Sequence, residues 1–338
     1  MKVVILGSGR MGIRHAQGIC DMTELSGLCV VDKFEGAITN AKEALKNSSG
    51  FRKTTFMLLD DFTVTDQKFD VAILAATSQK RLDNCLLLIE KGVKHILVEK
   101  PLGQSMKEVN ELISFFDEHP TVKGYVNLNM RLYESFITLK NDLQTLPQFE
   151  GEKTITVNTG TIGIGANGIH YLDLLYFLFD ADDSAIEASE IDEQTVPSAR
   201  GTEFADFGGW AVIKFYKNKQ LLGRAFVSIS ARSTVFGGWD IVGTHGRITL
   251  NEIQQKRIDI LRKPDSSMPI NRYAADYLDP IEKKIESPFL GELTKIWLEN
   301  LVKGKNVLPD LKESAKVHQL MFDWLSASKT HQEHFPIT

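Results

Sequence analysis

Cysteine is scarce in this chain. The 338 residues hold three, Cys20, Cys29 and Cys85, an odd number with no C-x-x-C spacing. That argues against a disulfide framework and a cysteine-based zinc site, and it fits a reducing compartment. No apolar run approaches the roughly 18 residues of a membrane span, and the chain enters a strand with no leader-like stretch before it, so a cytoplasmic protein without a membrane partner is expected. Basic charge is not in excess: 39 Lys and Arg face 44 Asp and Glu, a net charge of −5. The cations are scattered, which argues against nucleic acid as a partner. Neither H-E-x-x-H, nor Cys/His ligand spacing, nor G-x-S-x-G occurs, so no metal site and no serine nucleophile are expected. There is no internal repeat and no low-complexity tract. What remains is an ordinary globular composition, 43% hydrophobic and 25% charged, in a chain long enough for two domains.

The most informative stretch is the first dozen residues. The apolar run Val3-Val4-Ile5-Leu6 reads as a buried parallel strand. It breaks into Gly7-Ser8-Gly9-Arg10-Met11-Gly12, a Gly-x-Gly-x-x-Gly, and then into a helical stretch. Strand, glycine turn and helix start are the context that a dinucleotide fingerprint requires. Gly7 allows the tight turn, Gly9 lets backbone N–H groups approach a pyrophosphate, and Gly12 lets helix and strand lie close. The helix N-terminus then faces the phosphates. A second strand, Leu28 to Val31, ends in Asp32, about 20 residues past Gly12, where a carboxylate accepts hydrogen bonds from an adenosine ribose and repels a 2′-phosphate. NAD is therefore the expected cofactor. The adjacent Lys33 keeps NADP open, because it could pair with a 2′-phosphate.

The chain continues as alternating strands and helices. A helix is expected over Ala37 to Lys46, a strand over Thr54 to Leu58, and a buried strand over Val71 to Ala75 with its exit at Ala76-Thr77-Ser78. A helix over Lys80 to Lys91 stops at Gly92, and His95 to Val98 is the next strand, running into Glu99-Lys100-Pro101. Ser105 caps a helix to Glu118, just before Pro120. Thr121 to Val126 closes this set, and Asn127 to Arg131 forms a polar exit. Beyond lie mostly strands: Thr154 to Thr159, Ala211 to Tyr216, Leu221 to Ser230, Asp240 to Val242 and Arg247 to Leu250. Lys217-Asn218-Lys219 reads as a hairpin turn, and two helices, Leu290 to Lys303 and Leu311 to Ser328, end the chain. The fold class is α/β: an N-terminal Rossmann domain with a doubly wound parallel sheet, residues 1–122, then a C-terminal α+β domain with a large, mostly antiparallel open sheet, residues 123–338.

Three clusters can carry chemistry. Glu99-Lys100-Pro101 leaves the carboxyl end of a parallel strand, the edge where open α/β sheets bind ligands. Proline stiffens the exit. Lys100 is either a solvated loop lysine or a group that stabilises charge developing on a substrate hydroxyl. The second cluster lies in Gly165-Ala166-Asn167-Gly168-Ile169-His170-Tyr171-Leu172-Asp173, which opens a helix apolar almost all the way round. His170 and Asp173, at i and i+3, share a face. With Asn167 as N-cap, His170 falls in the first turn, where the helix dipole favours a neutral imidazole suited to act as a base. The alternative is a satisfied core histidine. Asp173 holds the helix or the imidazole, or meets substrate alongside Asn167. The third cluster, at the strand exit, offers Asn129 and Arg131 to substrate hydroxyls or a carboxylate, or else forms a polar patch between domains.

Taken together, GSGRMG at 7–12, Asp32, EKP at 99–101, NMR at 129–131 and GIHYLDLL at 168–175 resemble the glucose–fructose oxidoreductase / inositol dehydrogenase / rhizopine catabolism (Gfo/Idh/MocA) family. The resemblance implies NAD(P)-dependent oxidation or reduction of a secondary alcohol on a sugar, sugar nucleotide, amino sugar or cyclic polyol. It implies Lys100 and His170 as the catalytic pair, with Lys100 contacting the nicotinamide side and the reacting hydroxyl and His170 exchanging the hydroxyl proton. Residues carried over as cofactor contacts are Gly7, Ser8, Gly9, Arg10, Met11, Gly12, Asp32, Lys33, Ala76, Thr77, Glu99 and Lys100. A homodimer or homotetramer through the C-terminal sheet is implied as well. One departure stands out: where many members carry Asp or Asn four residues before the histidine, this chain has Ala166. Two other readings stay open, an NAD-dependent glycosidase of the same family and a non-catalytic dinucleotide-sensing regulator.

Overall fold

The computed structural model describes residues 1–160, 163–197, 201, 203–263, 278–327 and 334–338. In chain order its elements begin with β1 (Lys2–Leu6), α1 (Arg10–Ile19), β2 (Gly27–Asp32), α2 (Glu35–Leu45), β3 (Thr54–Leu58) and α3 (Leu59–Val64). Then come β4 (Val71–Leu74), α4 (Arg81–Glu90), β5 (His95–Val98), α5 (Met106–Glu118) and β6 (Lys123–Val126). Next are α6 (Glu134–Thr145), β7 (Lys153–Thr159), α7 (Ile169–Phe179), β8 (Asp183–Ile191), β9 (Val196–Pro197), β10 (Ala205–Asp206), β11 (Gly209–Lys217) and β12 (Gln220–Ile229). The chain closes with β13 (Gly238–Val242), β14 (Gly246–Asn251), β15 (Lys256–Leu261), β16 (Ile281–Lys284), α8 (Leu290–Val302) and α9 (Leu311–Leu325). The expected end of the last helix, at Ser328, lies outside the described residues. The chain groups into two compact units: residues 1–132 with 288–315 and 338, and residues 133–287 with 316–337.

The first unit is built on a six-stranded parallel sheet in the order β3-β2-β1-β4-β5-β6. Strand order reverses between β1 and β4, which makes that point the topological switch of a doubly wound sheet. Val3, Val4 and Ile5 of β1 and Ala72, Ile73 and Leu74 of β4 are fully buried, as continuous apolar strands covered on both faces must be. Ser105 caps α5 as expected, its hydroxyl accepting from Glu108 N at 3.2 Å. Helix α8 belongs to this unit. It crosses α1 where Gly18 meets Gly291, so closely that a Cβ on Gly18 would lie 2.1 Å from the Gly291 carbonyl oxygen. All three cysteines are buried and free. Burial pushes the Cys85 thiol up to about 12, which makes it inert.

The second unit carries an eight-stranded sheet in the order β16-β15-β14-β13-β7-β12-β11-β8. Its pairings are antiparallel except β7 with β12. One face is apolar and lies under α7, where Phe179 stacks on Phe215 at 4.9 Å and Tyr176 meets the same ring edge-on at 5.2 Å. Each such buried side chain contributes about 1.5–3 kcal/mol. The β11–β12 hairpin turns through Asn218 and Lys219, both at positive φ, at the expected turn. The opposite face shows Trp210, Phe226 and Val242, each 42% exposed.

The sequence-based reading missed several elements. α6 lies in a stretch whose apolar residues Phe136, Leu139 and Leu143 mark only one narrow stripe. β15 was hidden by its charges: Arg257 and Asp259 point inward and pair with each other at 2.6 Å, Arg257 also pairing with Asp142. Buried charges survive only when paired in this way, and a single strand does not reveal the partner.

Candidate active site

In the first unit, the expected cofactor residues all follow the carboxyl ends of neighbouring strands. Gly7 to Gly12 leave β1, Asp32 ends β2, Ala76 and Thr77 leave β4, Glu99 and Lys100 leave β5, and Asn129 and Arg131 leave β6. Gly7 sits at φ +100°, and a Cβ there would meet Ala76 N at 2.5 Å. A Cβ on Gly12 would lie 1.9 Å from the Gly7 carbonyl oxygen. These two glycines are therefore demanded by the fold itself. Gly9 is not. It caps α1 at φ −64°, ψ −170°, a backbone any residue adopts, and a Cβ on it would meet nothing within 4 Å. The α1 N-terminus beside it has no side-chain cap and no acid in its first turn. Open space before uncapped N–H groups fits a dinucleotide pyrophosphate.

Asp32 is held in place. Its Oδ2 accepts from Ser8 N at 2.6 Å and Ser8 Oγ at 3.1 Å, and its Oδ1 accepts from Phe34 N at 3.0 Å. The carboxylate thus ties the glycine turn to the β2 exit. Lys33 turns onto the exposed Phe34 ring, its ammonium 4.7 Å from the centroid.

Lys100 is buried, and the residues around its backbone are braced. Arg81 was not singled out from the sequence. Its guanidinium donates to the carbonyls of Leu74, Ala76, Glu99 and Pro101 at 2.8–3.3 Å, tying the β4 exit to the β5 exit. Only a residue surrounded by several strand ends can do this, so no local signal marks it. The Lys100–Pro101 peptide is cis. Asn127 Nδ2 and His15 Nε2 both reach Glu99 Oε1, at 2.7 and 2.8 Å. Arg131 is buried and pairs with Glu313, near the start of α9.

In the second unit, Asn167, His170 and Asp173 lie on one continuous helical segment, with Asp173 fully buried and His170 half-buried. Asn167 is not the N-cap. Residues Gly163–Gly168 wind into a wide π-type turn that runs directly into α7, whose N-cap position is Gly168. The turn is anchored by Asp206 instead: its carboxylate accepts from Gly165 N at 2.9 Å and from Ala166 N at 2.8 Å. His170 is the second residue of α7 and so lies in its first turn, with the π-type turn of Gly163–Gly168 leading into it. The glycine-rich wording of 163–168 reads as a loop, and the acid that turns it into a helix start lies 40 residues away.

Residues 1–125 match the family model described as the oxidoreductase family, NAD-binding Rossmann fold (GFO_IDH_MocA). No curated protein matches by sequence. Solved structures share the fold over nearly the whole chain. UDP-N-acetylglucosamine 3-dehydrogenase from Acidithiobacillus ferrooxidans superposes with a TM-score of 0.67 at 16% identity, covering 98% of each chain. A putative myo-inositol dehydrogenase from Sinorhizobium meliloti gives 0.68 at 16% identity over 100% of both chains. An oxidoreductase from Agrobacterium radiobacter, crystallised with NAD+, L-tartaric acid and magnesium, gives 0.69 at 14% identity, covering 98% of this chain and 97% of its own.

Proposed function

We propose that this protein is an NAD-dependent dehydrogenase or reductase, since residues 1–125 match the model of the NAD-binding Rossmann fold of the Gfo/Idh/MocA oxidoreductase family. Its substrate is a secondary alcohol, or the matching ketone, on a sugar, sugar nucleotide or cyclic polyol. The supporting observation is Gly9: a glycine that neither backbone strain nor packing requires, on the same sheet edge as Asp32 and Lys100. The sugar and inositol substrates named for the structural neighbours favour this substrate class.

In this reading the N–H groups from Gly9 to Gly12 hold the pyrophosphate and Asp32 holds the adenosine ribose. NAD, when bound, supplies the hydride acceptor. Lys100 donates a hydrogen bond to the reacting hydroxyl and steadies the charge that develops on its oxygen. His170 takes the hydroxyl proton on a ring nitrogen during oxidation and returns it during reduction. Such acid–base help gives about 10²–10⁴-fold, with positioning supplying much of the rest. Asn129, Arg131, Asn167 and Asp173 are the candidate substrate contacts. The exposed sheet face around Trp210 and Phe226 is the proposed contact in a homodimer or homotetramer.

The test is a panel of UDP-sugars, free sugars and inositols assayed for NADH formation. Oxidation of at least one is expected. Tight NADH binding without turnover on any of them would favour the dinucleotide-sensing regulator, and release of nitrophenol from nitrophenyl glycosides the glycosidase.

A further inference from the structure

We propose that His15 and Glu99 share a single proton, and that this bonded pair fixes the strand end from which Lys100 leaves. His15 is then a positioning residue for the reaction proposed above, and that role rests on the reading of Lys100 given there.

The pair is fully enclosed: His15 is 0% exposed and Glu99 2%. His15 comes from α1 and Glu99 from the β5 exit, and the pair is completed by Asn127 from the β6 exit and Thr294 from α8. His15 Nε2 lies 2.8 Å from Glu99 Oε1, and Asn127 Nδ2 donates to the same oxygen at 2.7 Å. On the other side of the ring, His15 Nδ1 lies 2.7 Å from Thr294 Oγ1. That hydroxyl donates its one hydrogen to the Leu290 carbonyl at 2.9 Å, the usual back-bond of a helical threonine. It therefore accepts from the ring, and Nδ1 carries a hydrogen. One further proton lies on the line between Nε2 and Oε1, making the pair an imidazolium facing a carboxylate, or its neutral equivalent. Either form leaves the pair itself with no net charge, which lowers the cost of burying it.

Glu99 is held at its backbone as well. Its N–H donates to the Leu74 carbonyl at 3.0 Å, and its own carbonyl accepts from Arg81 Nη2 at 2.8 Å. Backbone and side chain together leave the residue one way to sit, and Lys100 is the next residue along. The same ring stands on α1, the helix whose N-terminus begins at Gly9. His15 thus joins the dinucleotide helix to the lysine exit through one hydrogen bond.

The experiment uses the full-length protein with imidazole-¹⁵N histidine, read by NMR, the His15 signal being assigned by its loss in the double variant His15→Gln/Glu99→Gln. The expected result is a protonated Nδ1 in the wild type. In Glu99→Gln, the amide oxygen still accepts from Asn127 but has no proton to give, so the ring switches to its Nε2–H tautomer and the Thr294 hydroxyl turns from the Leu290 carbonyl to donate to the bare Nδ1. A wild-type ring with a bare Nδ1, or a Glu99→Gln ring that stays unchanged, overturns the shared proton. Positioning is read from acylation of Lys100 by an amine-reactive ester, followed by mass spectrometry. His15→Gln strands the carboxylate and speeds Lys100 labelling at least about tenfold through local opening. The double variant, in which two neutral amides bridge the same gap, returns to within about threefold of the wild type. Labelling unchanged in His15→Gln, or not rescued in the double variant, overturns the positioning role. None of these readings needs substrate or NAD. A wild type that oxidises no sugar therefore overturns the proposed function and leaves this result standing.

Discussion

Gly9→Val separates cofactor binding from folding. A Cβ at Gly9 meets no atom within 4 Å, and its φ of −64° suits an ordinary residue. The folded protein loses no contact, and its melting temperature should stay within about 2 °C of the wild type. The valine side chain instead fills the approach to the uncapped N–H groups of α1. A hydrogen bond from such a group to a phosphate oxygen is worth about 1.5–3 kcal/mol. Loss of one or two raises the Kd for NADH by about 10²-fold, at 1.4 kcal/mol per factor of ten. The assay is a fluorescence titration with NADH beside a thermal melt. Gly12→Ala is the control with the opposite signature: its Cβ would fall 1.9 Å from a backbone oxygen, so it destabilises the fold by about 1–3 kcal/mol and lowers the melting temperature. Wild-type affinity in a Gly9→Val protein that melts normally would refute the assignment of this edge to the dinucleotide.

Other outcomes follow from the same geometry. Lys100→Ala and His170→Ala should each cut turnover by at least about 10² with cooperative melting preserved, and normal turnover in either would remove that residue from the mechanism. The wild type should bind NADH more tightly than NADPH, and Asp32→Asn should narrow the preference by about tenfold, since a neutral amide no longer repels a 2′-phosphate; a wild type that prefers NADPH would contradict the role given to Asp32. Glu252 accepts from Trp239 Nε1 at 2.8 Å and Tyr171 Oη at 3.0 Å, yet burial, the larger effect, holds its carboxyl above the usual range. A raised folded value means stability is greatest in acid and declines as pH climbs through that value. Glu252→Gln should therefore gain melting temperature relative to the wild type from acid to neutral pH, and a gain that shrinks instead would reverse the sign of this argument.

Local signals carried far in the first unit. Strand β5 runs over His95–Val98 as the apolar run indicated, and Ser105 caps α5 because its hydroxyl needs only a backbone N–H three residues on. Two glycines of the fingerprint were legible for local reasons: Gly7 takes a positive φ, and a Cβ on Gly12 would strike the Gly7 carbonyl five residues before it.

The sequence by itself determined the parallel sheet, the cofactor class and the family resemblance, because these rest on short-range periodicity and on residues that declare their chemistry. Tertiary structure decided the rest. Asp206, not Asn167, anchors the start of the helix that carries His170. Thr294 meets His15 from 279 residues away, and α8 joins the unit of the first sheet. Arg257 and Asp259 lie inward because each neutralises the other. A buried polar group is tolerated only where a partner reaches it, and in each of these cases the partner is a matter of topology.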